Sequence, residues 1–128
     1  VRNLILLAIV LVAFAGCSEQ KPLPMAATPE SARAALNTAL DGWKAGKTVQ
    51  ELQAGSPPLV FVDADINRGS KLTDYRVEGE GTPRGTGYSF VVVLTLEDKD
   101  SKKTRTKKVA YTAVTEPKHA VTLEDRQP

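Results

Sequence analysis

The run Tyr88-Ser89-Phe90-Val91-Val92-Val93-Leu94-Thr95-Leu96 decides how this chain folds. Tyr88, Phe90, Val92, Leu94 and Leu96 alternate, the period of a strand with one face on a core. Val91 and Val93 are apolar on the other face as well, so this is the central strand of a sheet. Its partner is found by closing a hairpin over the four residues Lys99–Lys102. Phe90 then faces Tyr111, Val92 faces Val109, Tyr88 faces Ala113, and Asp98 meets Lys103. A slip of one residue would set Lys108 against Val92 and turn every apolar side chain of the partner strand off the core face.

Working outward, Leu59–Val62 is a short apolar strand and Lys71–Glu78 a weaker one, with Leu72 out of phase with Tyr75 and Val77. Gly79–Gly87, GEGTPRGTG, reads as a Gly/Pro-rich loop, and its first glycines lack the third one of a dinucleotide fingerprint. Glu116-Pro117-Lys118 makes a last turn, Ala120–Glu124 a closing strand with Val121 and Leu123 inward, and 125–128 a disordered tail.

Ahead of the strands, Thr28 is an N-cap, Pro29 suits the first helical position, and Glu30 complements the positive first turn. Ala32, Ala35, Leu36, Ala39, Leu40 and Trp43 form one apolar stripe on a helix over 28–45, closed by Gly46. Thr48 and Glu51 have the spacing of a capping box for a second, shorter helix, which Gly55 and Pro57-Pro58 stop. Gly42–Thr48 imitates a phosphate-binding loop. It has three residues between its glycines instead of four and follows a helix rather than a strand, so its amides form no phosphate cradle.

The N-terminus has a different character. Residues 1–16 hold 13 apolar residues, with an uncharged run from Leu4 to Phe14 behind Arg2. As a helix, Leu4–Gly16 would span about 20 Å, short of the roughly 30 Å of a bilayer core, which describes a secretory signal and not a membrane span. The run ends in Phe14-Ala15-Gly16-Cys17, which resembles the lipobox of bacterial lipoprotein precursors. The resemblance implies cleavage of the Gly16–Cys17 bond and lipidation of Cys17. Phe14 departs from the aliphatic residue usual there. Cys17 is the only cysteine, so an exported chain offers it no disulfide partner within the molecule. Two or three acyl chains on it would anchor far more firmly than one. Ser18, where inner-membrane lipoproteins of enterobacterial type carry Asp, favours the outer membrane in a Gram-negative host. Residues 17–27 then read as a lipidated cysteine followed by a flexible tether of at most about 33 Å.

The chain of 128 residues thus divides into a signal peptide (1–16), the tether (17–27), a single α+β domain (28–124) and the tail. The expected fold is one or two N-terminal helices packed on a curved antiparallel sheet of about four to five strands. In element order alone it resembles the cystatin-like group, including nuclear transport factor two-like domains. Without Arg2 the formal charge falls from +2 to +1, which disfavours a nucleic-acid partner.

Three segments carry residues that could do chemistry. Asp63-Ala64-Asp65-Ile66-Asn67-Arg68-Gly69 offers oxygen ligands at alternate positions, as a hard cation requires. Against a calcium loop, the glycine falls one place late, Asp74 stands where a glutamate should, and no helix leaves. Asp63, Asp65 and Asn67 are also ordinary turn formers. His119, the only histidine, lies beside a turn in phase with Val121 and Leu123, and no sequence-near arrangement suggests the cleft and orienting carboxylate that acid–base catalysis needs. Lys102–Lys108 holds five cations in seven residues, with Lys103, Arg105 and Lys107 on one strand face, available for polyanion contact. The opposing reading is a solvated strand end balanced by Glu97, Asp98 and Asp100. The expectation is a lipid-anchored envelope protein whose domain binds or assembles without catalysis, with no cofactor and an unidentified protein or wall partner. The alternatives are a small nuclear transport factor two-like enzyme or ligand-binding domain with a shallow pocket, using His119 or Asp63 and Asp65, and a passive lipoprotein touching wall or polyanion.

Overall fold

The computed structural model describes residues 27–124. The expected signal peptide, the expected cleavage and lipidation site at Gly16 and Cys17, nearly all of the expected tether and the expected tail lie outside the described residues. Ala27, read above as the tether's last residue, is buried and donates its N–H to the Thr86 carbonyl at 3.1 Å, so it packs with the domain.

Helix α1 spans Pro29–Lys44 and starts as its sequence demands. Thr28 Oγ1 accepts the Ser31 N–H at 3.1 Å, and Ser31 Oγ accepts the Thr28 N–H at 2.9 Å, a reciprocal cap. The stripe from Ala32 to Trp43 is buried throughout. Leu36 and Leu40 lose all their exposure, each contributing about 1.5–3 kcal/mol of transfer free energy. Gly46 ends the turn at φ +88°, where a side chain would be strained. Helix α2, Val49–Gln53, is capped by Thr48, whose Oγ1 accepts the Glu51 N–H at 3.1 Å, and buries Leu52.

Five strands make one sheet: β1 Leu59–Val62, β2 Lys71–Arg84, β3 Gly87–Glu97, β4 Thr104–Val114 and β5 His119–Leu123, in the order β1-β5-β4-β3-β2. The molecule is α+β, and the β3–β4 register is the one the hairpin arithmetic requires: Phe90 faces Tyr111, Val92 faces Val109 and Tyr88 faces Ala113. The sheet is mixed and not wholly antiparallel, because β1 pairs in parallel with β5. That pairing follows from the route of the chain. After β1 it crosses to the far edge to begin β2, then returns strand by strand until β5 reaches the free side of β1.

Two further expectations change. Gly79–Gly87 is not a loop: β2 runs on to Arg84, and Gly85-Thr86 alone turns the chain into β3. The register slips between Glu78 and Thr82, where a bulge absorbs the glycines. A Cβ on Gly81 would lie 2.7 Å from the Phe90 ring, so the missing side chain there lets the ring pack. A second slip, between Leu72 and Asp74, explains the phase fault of Leu72. Leu72 faces inward opposite Leu96, and the inserted Thr73 brings Tyr75 back opposite Leu94.

The core lies between α1 and the inward face of the sheet. Trp43, Phe61 and Tyr111 pack across it as tilted rings, successive centroids 5.9 Å apart, joining α1 to β1 and β4. The Trp43 indole N–H donates to the Ser70 carbonyl at 2.9 Å and fixes the far end of the helix over the start of β2.

Candidate functional site

The segment 63–69, expected as a turn, holds a one-turn helix, α3 Ala64–Asn67. Asp63 caps it: Oδ1 accepts the Asp65 N–H at 2.7 Å. The position of α3 comes from the topology. β5 ends opposite Tyr111, so the first half of β4 has no strand beside it on that side. The chain crosses here from β1 to β2, and the Asp65 side chain of α3 meets the inward side chains of β4.

There the crossing meets charge. Counting back from Tyr111, the inward residues of β4 are Val109, Lys107 and Arg105. Arg105 Nη2 donates to Asp65 Oδ1 at 2.7 Å, and Lys107 Nζ to Asp65 Oδ2 at 2.5 Å. Arg105 Nε also donates to Asp98 Oδ1 at 3.0 Å, and Arg68 Nη1 reaches Asp65 at 3.5 Å from the solvent side. Behind this pair, the Tyr111 hydroxyl donates to Asp63 Oδ2. Asp65 and Asp63 are 0% and 1% exposed. Two aspartates therefore lie in the interior with their oxygens supplied with donors, as burial of such groups demands.

The electrostatics follow from these partners. Burial pushes the Asp65 carboxyl up, but the hydrogen bonds and charges of Lys107 and Arg105 outweigh it and hold the group below its ordinary 3.8. Arg105 moves upward through its hydrogen bonds to Asp65 and Asp98. Burial, then the neighbouring Asp63, drive the Tyr111 phenol far above its ordinary value of 10, so it stays a neutral donor. Such a set holds charge in place. A general acid or base needs a proton it can exchange near neutrality, and none of these shifts moves a group toward that range.

The structure thus joins two sets of residues that the sequence presented separately. Asp63 and Asp65 do not present a cation site: a divalent ion at Asp65 would face Arg105 and Lys107, and Asp63 already receives two donors. Among the described residues no group of three or more His, Cys, Asp or Glu side chains is arranged to hold a metal. Asn67 is the last residue of α3. Arg105 and Lys107 are counter-ions of the interior, whereas Lys103 is exposed in the β3–β4 turn without an ion pair among the described residues. His119 opens β5 opposite Leu59, at the far end of that strand from Thr122, which pairs with Val62 just before Asp63. Lys108, on the other face of β4, pairs with Glu78 at 2.8 Å.

The hollows are open and shallow. One of about 480 Å³ lies beside Trp43, lined by Lys47, Thr48, Asn67 and Lys71 among others. Another of about 420 Å³ lies at the β3–β4 turn between Arg68, Ser70, Lys99 and Arg105. No helix among the described residues is long and apolar enough to cross a membrane. Comparison with protein-family models, curated proteins and solved structures finds no match to the chain.

Proposed function

We propose that this chain is a lipid-anchored protein of the bacterial envelope whose α+β domain binds or assembles with a partner and performs no catalysis. The observation that carries the reading is Phe14-Ala15-Gly16-Cys17 at the end of an apolar leader, with Cys17 the only thiol in the sequence. A second support lies in the domain. Asp63 and Asp65, the acids an enzymatic reading would use, are hydrogen-bonded in the interior, and His119 belongs to a different part of the sheet. Ser18 favours the outer membrane if the host is Gram-negative, with the domain on the periplasmic side.

Metabolic labelling with an alkyne fatty acid tests the anchor. The parent chain takes up label and partitions into the detergent phase, while Cys17→Ser carries none and keeps its leader. An unlabelled parent, or equal label on Cys17→Ser, overturns the proposal.

A further inference from the structure

The chain enters the domain at Ala27, beside Thr86 in the β2–β3 turn. β3 runs from that turn to Glu97, eleven residues, or about 33 Å of extended chain. The β3–β4 turn therefore stands at the end of the domain opposite the tether. It is closed tightly: the Asp98 N–H donates to the Lys103 carbonyl and the Lys102 N–H to the Asp98 carbonyl, both at 3.0 Å. Lys102 sits in the left-handed region at φ +58°.

The cations near this end fall into two groups. Arg105 and Lys107 neutralise Asp65 and Asp98, as described. Lys99, Lys102 and Lys103 are exposed, and none has an ion-pair partner among the described residues. Arg68 stands beside them, its side chain 72% exposed and 3.5 Å from Asp65. Lys99 lies over Gly69, where a Cβ would come 2.9 Å from its Cδ, so the turn and the α3–β2 connection form one surface. Against them stand Glu97 and Asp100, the two carboxylates at this end that make no ion pair among the described residues, so the unpaired lysines outnumber the unpaired acids by three to two. A concentration of positive charge thus sits at one tip of a nearly neutral chain.

We propose that this tip docks the carboxylate-bearing polymer of the cell wall, through Lys99, Lys102, Lys103 and Arg68. The inference rests on the anchor reading, because entry at Ala27 leaves the tip at the end of the domain away from the segment that leads to Cys17. A flexible, multiply charged polymer suits lysines spread along this turn, whose hollow is open and lined by Asp98 and Asp100 as well as Arg68 and Lys99, a poor enclosure for a single small anion. Such contacts weaken steeply with salt.

The test is co-sedimentation of the full chain with purified insoluble peptidoglycan in detergent and, in a parallel detergent-free arm, its partition between anionic and neutral vesicles, read as the difference between parent and tip variant so that the anchor cancels. The variant is Lys99→Gln/Lys102→Asn/Lys103→Gln, with Asn at the left-handed position because it tolerates that backbone. Arg105 and Lys107 are left intact because the interior depends on them. The expected result is parent binding to the wall polymer at low salt, lost by 0.5 M salt, and weakened by about tenfold or more in the variant. Unchanged thermal unfolding of the variant, read from Trp43 fluorescence, assigns the loss to the surface. A parent that stays in the supernatant, a variant that binds as well as the parent, or tip-dependent binding to vesicles in preference to wall overturns the inference. Fatty-acid labelling of Cys17 reads out separately, so failure of the anchor and failure of the tip are distinguishable.

Discussion

Asp65→Asn tests the buried charge cluster most directly, because it removes one charge and almost no volume. Asp65 has 1% of its side chain exposed, while Arg105 and Lys107 keep 37% and 32%. A fully buried pair broken on one side costs about 3–5 kcal/mol, and an exposed pair about 0.2–1. Here the acceptor is buried and the donors are at the boundary. Arg105 retains Asp98, Lys107 can turn its ammonium toward water, and the amide oxygen still accepts one bond. Those reliefs place the expected loss at about 2–3 kcal/mol at pH 7. The pH dependence has a definite sign. A carboxyl held below 3.8 in the folded chain contributes stability that is complete above its unfolded value and is lost as pH falls through the folded value. The gap between parent and Asp65→Asn is therefore constant from pH 7 to about 5 and narrows below 3.8. Urea unfolding followed by Trp43 fluorescence measures it, since that single tryptophan is buried against Phe61. A variant within about 0.5 kcal/mol of the parent at pH 7, or a gap of undiminished size at pH 2, would refute the reasoning.

Two other substitutions probe different features of the same frame. Tyr111→Phe leaves Asp63 Oδ2 buried without its donor and should cost about 1–3 kcal/mol in urea unfolding, while Tyr88→Phe, on a half-buried ring, changes stability by less than about 0.5. Gly87→Ala places a Cβ 2.1 Å from the Ala113 carbonyl, backbone that cannot move without opening the β3–β4 ladder, so the variant should lose its cooperative transition or more than about 3 kcal/mol. Gly46→Ala, with nothing within 4 Å of the added carbon, strains only φ and serves as the milder control, at about 1 kcal/mol.

Much of this fold is legible in the order of residues because local chemistry and global packing agree. Thr28, Pro29 and the stripe to Trp43 specify α1 without reference to any partner, and the β3–β4 register follows from alternation on two strands joined by a short turn. The failures have a common cause. The glycines from Gly79 to Gly87 signal a loop by composition, but on an edge strand a bulge accommodates them, and the Phe90 ring that needs Gly81 bare lies on the neighbouring strand. The parallel β1–β5 pair joins residues 60 positions apart, which no pattern local to either segment can announce.

The charge cluster was nevertheless written in the same alternation that revealed the sheet. Leu59, Phe61, Asp63 and Asp65 continue one period-two row out of β1, and Tyr111, Val109, Lys107 and Arg105 continue another back along β4. Both rows begin apolar and end charged, with opposite signs. A charge in phase with a core row either marks the place where the core stops or needs a buried counter-ion. Two such endings of opposite sign satisfy each other if they meet. They meet here because the chain crossing from β1 to β2 brings Asp65 to the inward side chains of β4. The pairing also bears on which way that crossing can run. Carrying α3 elsewhere would leave Asp65 without Arg105 and Lys107, and leave both cations facing the apolar row that ends in Tyr111. The same few charges that close the core at this end thus select the route from β1 to β2. They also leave Lys99, Lys102 and Lys103 as the cations of the turn that are free to meet something outside the molecule.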